Sequence, residues 1–391
     1  MTCYKPNKVF VIKSYDDVDK ETGEVLKKRL TKFCGSTIDH LEWRTNGVYE
    51  EWYKSPDSLC SKFGTCGNKI CNSSCYDVDP KKVPATCHEV VTDYLSVPCG
   101  KCIGCRIDLA KEWAARMVME LPYSTSSWFI TLTYNDDFLP LSQFSDSEGN
   151  KYPSMTLCKK DFQDFMKRLR KRFPGSNIRY YVCGEYGSES LRPHYHAILF
   201  NAPLDFEGKS VYSQSREGFT YYTTPVLNRA WSVYRRDTKE WLPMGFALCS
   251  PVSYQTCLYV ARYVTKKLVG LDAYQYQYYK IEPEFSTMSR KPGLGRQWFE
   301  DHKSEEDLIT YIIRINDTSG DPLKFKRPKY FENLYEIEYP ELCTDMKTVR
   351  RKIAEDSISL KLSETDVSYY EMLENEQREL IHRLYLKRGD V

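Results

Sequence analysis

The sequence LRPHYHAILF, residues 191–200, sets the expected architecture of this chain. It predicts a β-strand, because its aromatic and branched residues favour extended backbone and Pro193 and Pro203 bound the run. Successive strand side chains point to opposite faces of a sheet, so His194 and His196 share one face. Two imidazoles held side by side on a rigid strand make half of a site for a divalent metal ion.

A carboxylate for the same site precedes the histidines. Glu185 lies nine residues before His194, in the stretch YYVCGEYG at 180–187, where it ends a second expected strand. It could supply a third ligand to a metal ion. The alternative is a β-hairpin with two structural histidines, which an isolated His-x-His would favour.

A second motif, about sixty residues further along, favours the metal site. The stretch YVARYVTKK at 259–267 lies in a segment that predicts a helix from about 254 to 268, with a serine N-cap just before it. Residues four apart share one face of a helix, so Tyr259 and Tyr263 are neighbours, and Lys266 follows three residues later. A tyrosine pair alone indicates packing, whereas a pair followed by a lysine and accompanied by His-x-His is a rarer combination.

Together these motifs resemble a known family. The His-x-His strand followed by Tyr-x-x-x-Tyr-Val-x-Lys is similar to the HUH-type endonucleases, which use two histidines and a tyrosine nucleophile to start rolling-circle DNA replication. Four further motifs are similar to the replication initiators of small single-stranded DNA phages, the gokushovirus branch of the microviruses: MTCYKP at 1–6, VPCGKCIGCR at 97–106, FITLTY at 129–134 and MSRKPGLGR at 288–296. The resemblance covers roughly residues 95–300 well.

The resemblance implies an enzyme that nicks and rejoins DNA. Tyr259 or Tyr263 would attack a phosphate at the phage origin, in single-stranded or replicative-form DNA. The products would be a 5′-phosphotyrosine and a free 3′-hydroxyl for a polymerase, and the covalent link would conserve the phosphodiester energy needed for resealing. Two tyrosines would allow one to hold the old 5′ end while the other cuts the new junction.

The resemblance also implies a catalytic metal ion. His194, His196 and Glu185 would hold Mg²⁺ or Mn²⁺, which would polarise the phosphate. Lys266, or Lys267 in its place, would position or neutralise the phosphate.

Basic side chains are the expected contacts to DNA. Residues 159–173 predict an amphipathic helix with many lysines and arginines on its polar face. Such a face is also typical of a solvated surface helix, so both interpretations stay open. The residues expected to contact DNA phosphates are Lys160, Lys167, Arg170, Lys171 and Arg262.

The cysteines predict structural zinc. Cys99-x-x-Cys102-x-x-Cys105 has the spacing that lets thiolates face one tetrahedral ion. The resemblance favours Cys3 as the fourth ligand, with Cys87 as the alternative, and three unligated thiols are the competing interpretation. The N-terminal region has a second, more loosely spaced group that leaves another zinc site open: Cys60, Cys66, Cys71 and Cys75.

Composition sets the remaining expectations. Residues 301–391 carry 15 basic and 20 acidic side chains, a net charge of −5, so the first 300 residues carry +7 of the total of +2. No apolar run reaches the ~20 residues of a membrane span, which predicts a protein of the host bacterial cytoplasm without a membrane partner. The chain lacks a phosphate-binding loop of ATPases, so a host helicase would unwind the DNA and a host polymerase would copy it.

The expected fold is α+β. An HUH-like antiparallel sheet with helices packed on one face would occupy 111–300, between a cysteine-rich, zinc-binding module at 1–110 and an acidic, largely helical region at 301–391. The alternatives to a two-tyrosine nickase are a zinc-containing DNA-binding protein without catalysis, a metal hydrolase that activates water, and a single-tyrosine HUH transposase.

Overall fold

The computed structural model divides by packing into two compact units. One comprises Arg106–Leu360, and the other combines Met1–Cys105 with Lys361–Val391. The structure describes residues 3–18, 25–36, 40–45, 49–54, 88–91, 94–204, 208–215, 219–263, 266–268, 270–304, 312–316, 320 and 322–386.

Strands dominate the first three quarters of the described chain. They are β1 (Asn7–Val18), β2 (Val25–Cys34), β3 (His40–Thr45), β4 (Tyr49–Lys54), β5 (His88–Val91), β6 (Tyr94–Val97), β7 (Ser127–Thr133), β8 (Leu141–Ser145), β9 (Lys151–Met155), β10 (Arg179–Tyr186), β11 (Pro193–Phe200), β12 (Ser210–Gln214), β13 (Thr220–Thr223), β14 (Ser232–Arg235), β15 (Glu240–Pro243), β16 (Ala247–Pro251), β17 (Phe285–Met288), β18 (Ile312–Asn316) and β19 (Pro322–Lys326).

Helices separate these strands and dominate the C-terminal region. They are α1 (Ile103–Glu120), α2 (Lys159–Arg172), α3 (Pro225–Ala230), α4 (Tyr254–Arg262), α5 (Tyr274–Tyr278), α6 (Arg296–His302), α7 (Lys329–Glu338), α8 (Pro340–Ser363) and α9 (Tyr369–Leu386). Single turns of 3-10 helix lie at Leu121–Tyr123, Asp136–Phe138 and Gly270–Ala273.

A seven-stranded antiparallel sheet forms the centre of the unit Arg106–Leu360. Its strand order is β12-β13-β16-β7-β11-β10-β17, so the strand with both histidines lies inside the sheet between β7 and β10. The prediction of an α+β fold with an antiparallel sheet is confirmed.

Helices cover both faces of this sheet, so the expectation of helices on one face only is wrong. On one face, the side chains of Ile130 and Leu199 pack with α2 and α3. On the other face, Phe129, Ile198 and Phe200 pack with α1 and α4. Both faces of β11 are therefore dry, and its unbroken apolar run from Ala197 to Phe200 is typical of a fully buried strand.

The helix with the tyrosine pair is shorter than its sequence pattern predicts. Helix α4 ends at Arg262, and Tyr263 is its C-cap with helical backbone angles, whereas the sequence predicts a helix to about residue 268. The expected N-cap is confirmed. The Ser253 hydroxyl accepts the N–H of Thr256 while the Thr256 hydroxyl accepts the N–H of Ser253, a reciprocal capping box.

The other unit is built from small sheets and one C-terminal helix. Strands β2-β1-β6 and β4-β3-β5 form two three-stranded antiparallel sheets. Leu373 on α9 is buried against Cys3 and Cys102, so the apolar side of this tail helix packs within its own unit. Cys87 and the group Cys60, Cys66, Cys71 and Cys75 lie outside the described residues. Among the helices described, none combines the length and the apolar character needed to span a membrane.

Candidate active site

Strand pairing brings the three predicted metal ligands together. Glu185 on β10 lies directly opposite His194 on β11. The Oε1 atom of Glu185 is 2.7 Å from Nε2 of His194 and 3.4 Å from Nε2 of His196. One ligand atom from each residue lies within 4.8 Å of the others, so a carboxylate and two imidazoles converge on one point. This donor set suits a divalent cation.

The other nitrogen of His194 fixes how this imidazole can act. Its Nδ1 lies 3.0 Å from the carbonyl oxygen of Arg192, which can only accept a hydrogen bond, so Nδ1 carries a proton. The Nε2 atom then faces the Glu185 carboxylate at 2.7 Å, a contact that requires a proton or a metal ion between the two groups. The Arg192 carbonyl therefore orients His194 as an Nε2 ligand.

His196 is held more tightly than His194. Its Nδ1 lies 3.0 Å from the hydroxyl of Thr131 on β7. Its ring is nearly parallel to the rings of Phe129 and Tyr263, with centroids 5.6 and 5.1 Å away. Burial lowers the pKa of His196, although the Glu185 carboxylate opposes the shift. The neutral imidazole, which is the form that binds metal, is thereby favoured.

Glu185 is a buried anion with three cationic or polar neighbours. Its side chain is 2% exposed, and Lys266 Nζ lies 2.7 Å from its second oxygen, Oε2. Burial alone would raise the pKa of Glu185, but the hydrogen bonds from His194, His196 and Lys266 outweigh it and bring the pKa well below its usual range. The carboxylate therefore stays ionised and available to a cation.

The two tyrosines both contact the ring of His196. Tyr259 meets it edge-on at a centroid distance of 5.2 Å, and Tyr263 stacks on it. The tyrosine rings contact each other at 4.9 Å, with 88° between their planes. They differ in access to solvent, since Tyr259 is 47% exposed and Tyr263 is 6% exposed. Burial raises the pKa of both phenols, and the negative charge of Glu185 raises it further, so both are neutral near pH 7.

Two hydrogen bonds hold the short segment that carries Lys266. The carbonyl of Lys267 accepts from the Arg106 guanidinium at 2.7 Å, and the N–H of Leu268 donates to the Tyr276 hydroxyl at 2.7 Å. The Lys266 ammonium lies 4.6 Å from the centroid of the Tyr263 ring. The structure thus places Lys266 at the site, while Lys267 is exposed.

The basic residues expected to contact DNA are divided between two places. Lys160 and Lys167 form ion pairs with Asp164 on α2, and Arg170 donates to the carbonyl of Ile178. Helix α2 packs on the face of the sheet opposite to the one that carries His196. The remaining two are exposed, one on α2 and one at the end of the tyrosine helix: Lys171 and Arg262.

The other unit contains a four-cysteine cluster. Cys3, Cys99, Cys102 and Cys105 each offer a sulfur atom within 4.8 Å of the others. The backbone N–H of Cys99 donates to the sulfur of Cys3 at 3.2 Å, which fixes the N-terminus beside the Cys-x-x-Cys-x-x-Cys turn. Burial raises the pKa of the Cys102 thiol, but hydrogen bonds from Cys105 and Tyr4 lower it overall to about 7. Four converging sulfur atoms fit a structural zinc ion.

Sequence reasoning missed the residues that support the histidines. Thr131 contacts His196, the carbonyl of Arg192 contacts His194, and Phe129 packs on the ring of His196. Thr131 lies opposite His196 through the register of β7 and β11. A single sequence shows both strands but not which residues face each other across them.

Known proteins similar to this chain are all associated with phage replication. The sequence model of the replication-associated protein ORF2 family matches residues 127–268, which include β7, β10, β11 and α4. The replication-associated protein ORF2 of Spiroplasma virus 4 is 33% identical over 294 residues, 73% of this chain and 82% of that protein.

Two further relatives have the same kind of name. The replication-associated protein VP4 of Bdellovibrio phage phiMH2K is 29% identical, over 62% of this chain and 69% of its own length. The replication-associated protein ORF4 of Chlamydia phage 1 is 26% identical, over 73% of this chain and 60% of its own length. No solved structure matches the chain significantly.

Proposed function

This chain belongs to the family of microvirus-type replication-associated proteins, and we propose that it starts rolling-circle replication by nicking the phage origin. The reaction would be a transesterification on single-stranded origin DNA with a tyrosine as the nucleophile. The products are a 5′-phosphotyrosine and a 3′-hydroxyl.

One observation carries this proposal. Two tyrosine rings contact the imidazole of His196, which itself shares a carboxylate neighbour, Glu185, with His194. A metal site needs no phenol, and a structural tyrosine pair needs no metal ligands. Their combination supports covalent catalysis at a phosphate, because it supplies a nucleophile and a counter-charge within one site.

The donor set fits Mg²⁺ or Mn²⁺. Glu185, His194 and His196 would hold the ion, which would polarise the phosphate when bound. The Lys266 ammonium keeps Glu185 ionised and oriented. The Arg192 carbonyl and the Thr131 hydroxyl orient the two imidazoles.

Solvent access favours Tyr259 as the first nucleophile. Its exposed phenol can reach a DNA phosphate without a rearrangement, whereas Tyr263 lies stacked on His196 and is buried. The Tyr259 oxygen forms a bond to phosphorus while the bond to the 3′ oxygen breaks. The phenol gives its proton to solvent, and the 3′ oxygen gains one. One ester thus replaces another, and the DNA can be rejoined by the reverse reaction.

Tyr263 is proposed to act in the second transfer. Its ring would have to leave the stack on His196, and the Lys266 ammonium beside it could then meet the displaced phosphate. The basic residues Lys160, Lys167, Arg170, Lys171 and Arg262 are proposed to contact DNA, although the structure divides them between two places. A host helicase and polymerase would complete replication in the cytoplasm of the bacterial host.

The test is a set of Tyr→Phe variants incubated with single-stranded origin DNA and Mn²⁺. The adduct is detected on a denaturing gel and located by mass spectrometry. We expect Y259F to lose nearly all first-step adduct, Y263F to cut but fail in strand transfer, and the double variant to form none. Tyr274→Phe is the matched control, since that tyrosine is 65% exposed and outside the site.

An adduct in the double variant would rule out both tyrosines. Cleavage without any adduct would favour a hydrolase that activates water. A first-step adduct on Tyr263 in the unmodified protein would reverse the proposed order.

A further inference from the structure

A basic groove runs along one edge of the large sheet, away from the histidines. It has a volume of about 580 Å³ and lies between α2 and the edge strand β17. Five of its fourteen lining residues are cationic, and none of the fourteen is acidic: Lys159, Arg170, Arg179, Arg290 and Lys291 are the cations. A groove with this charge attracts a polyanion.

Two of these cations are presented by a loop with a fixed shape. Arg290 and Lys291 belong to the stretch MSRKPGLGR, which the nicking chemistry does not use. The carbonyl of Pro292 accepts from Arg179, and the carbonyl of Leu294 accepts from Arg116. The loop is therefore anchored at several points while Arg290 and Lys291 remain exposed.

Buried groups on α1 complete this anchoring. The Glu120 carboxylate accepts the N–H of Gly295 at 2.7 Å and pairs with Arg179 at 2.9 Å. Gly293 packs so closely on Tyr330 that an added Cβ would come within 2.7 Å of its hydroxyl. The network holds the backbone and leaves the two loop cations to face solvent, an arrangement that orients charge before a ligand arrives.

The groove also contains aromatic surface. The rings of Tyr180 and Phe285 are half-buried in its lining, with the Arg170 guanidinium 5.7 Å from the first and the Lys159 ammonium 5.1 Å from the second. Phe285 lies against Gly184, next to Glu185 in the chain, so one end of the groove reaches the active-site end of the sheet.

Exposed tyrosines lie beyond this end. Tyr152 and Tyr278 pack on Phe144 with centroid distances of 5.6 Å, and they are 45% and 40% exposed. Glu282 ties this cluster to the groove, because it pairs with Lys159 and its N–H donates to Thr156. Cations along a narrow groove next to exposed aromatic rings are the pattern that binds single-stranded DNA, with phosphates on the cations and bases on the rings.

We propose that this edge groove binds the single strand that flanks the cleavage site, with phosphates on Arg290 and Lys291 and bases on the cluster of Tyr152 and Tyr278. The assignment rests on the proposed function for the identity of the strand. The groove is a second DNA surface, distinct from the metal site, and it would hold the substrate while the tyrosines exchange ends.

The test measures binding in EDTA, where the proposed cleavage cannot occur. The probe is a fluorescein-labelled oligothymidylate of about 30 nucleotides, compared with a duplex of equal length. We expect R290E/K291E to weaken single-strand binding at least about tenfold and to reduce the slope of log K against log salt by about 1.4, since each lost phosphate contact contributes about 0.7.

The matched control is K324E/K326E, which reverses two lysines on β19 in the same unit. Y152L/Y278L removes the aromatic faces but keeps apolar contact with Phe144, and should weaken single-strand binding about fivefold without changing the salt slope. If R290E/K291E unfolds, R290Q/K291Q should reproduce its effect at about half the size.

Binding and a salt slope equal to those of K324E/K326E would overturn the proposal. An equal or greater loss on the duplex would also overturn it, because the groove would then be a general phosphate surface. A failure of the nicking proposal has a different signature, which is normal binding and no tyrosine adduct.

Discussion

The two metal-ligand clusters of this protein are built in opposite ways. Glu185, His194 and His196 lie on adjacent strands of a seven-stranded sheet, and hydrogen bonds of the β10–β11 ladder set their separation. The cysteine cluster joins Cys3 to a turn 96 residues later, and the hydrogen bond between them runs from a backbone N–H to a sulfur atom. The first cluster is positioned by the fold, whereas the second positions the fold.

The surroundings of the clusters lead to the same conclusion. Around His196 the sheet is covered on both faces by extensive apolar packing. Around Cys3 the buried core is small, and its buried members are Tyr4, Cys102 and Leu373. A metal bound to the sheet can therefore serve chemistry, while a metal bound to the cysteines replaces missing core.

The largest expected effect is on the cysteine cluster. Cys102→Ser should remove tight zinc binding and destabilise the unit Met1–Cys105 by more than about 4 kcal/mol, because the energy of binding a structural zinc is folding energy. Zinc content and limited proteolysis measure the effect. Cys158→Ser is the control, since Cys158 is at the N-cap of α2, where serine is favourable. A normally folded, zinc-free C102S protein would break the comparison.

Changes to the sheet site should have the reverse character. His194→Ala and His196→Ala should each reduce cleavage by about a thousandfold, the loss of a metal-assisted step, with little change in thermal stability. Rates of adduct formation and melting curves check this, with His382→Ala on α9 as a control outside the site. A large drop in melting temperature would show that this site, too, supports the fold.

Acid should reveal the buried carboxylate. The pKa of Glu185 is lower in the folded protein than its ordinary value near ~4.3, so ionised Glu185 stabilises the fold above that pH, and the contribution is lost as the pH falls below it. In metal-free protein, Glu185→Gln should cost about 3 kcal/mol at pH 7 and progressively less between about pH 5 and pH 3. Urea unfolding at a series of pH values tests this, and a constant difference would contradict it.

The smallest expected effect concerns the support of a ligand. Thr131→Val removes the hydroxyl beside Nδ1 of His196 without changing side-chain volume, and should weaken Mn²⁺ binding about tenfold in a calorimetric titration. Thr133→Val is the matched control, because the Thr133 hydroxyl accepts from the N–H of Phe246 and contacts neither histidine. Equal affinity in both variants would mean that the sheet alone orients His196.

Short-range regularities were predictable from sequence. The period of a strand places His194 and His196 on one face, and the helical period places Tyr259 beside Tyr263, which holds although α4 ends one residue earlier. Both arguments use fixed geometry over a few residues.

Long-range pairings were not predictable in the same way. The position of Thr131 next to His196 depends on strand register, and covering both faces of the sheet depends on where α1 and α4 pack. The meeting of Cys3 with Cys99 was expected only from resemblance, since no local pattern connects residues 96 apart. The edge groove joins α2 to a loop more than a hundred residues later, which no single motif contains.

The pairing of Glu185 with His194 has a consequence for quality control in the infected cell. A slip of one residue between β10 and β11 would turn every side chain of one strand to the other face and separate the carboxylate from both imidazoles. A misassembled molecule is then inert rather than a nuclease of relaxed selectivity. Errors of folding would remove copies from the active pool without endangering the genome that encodes them.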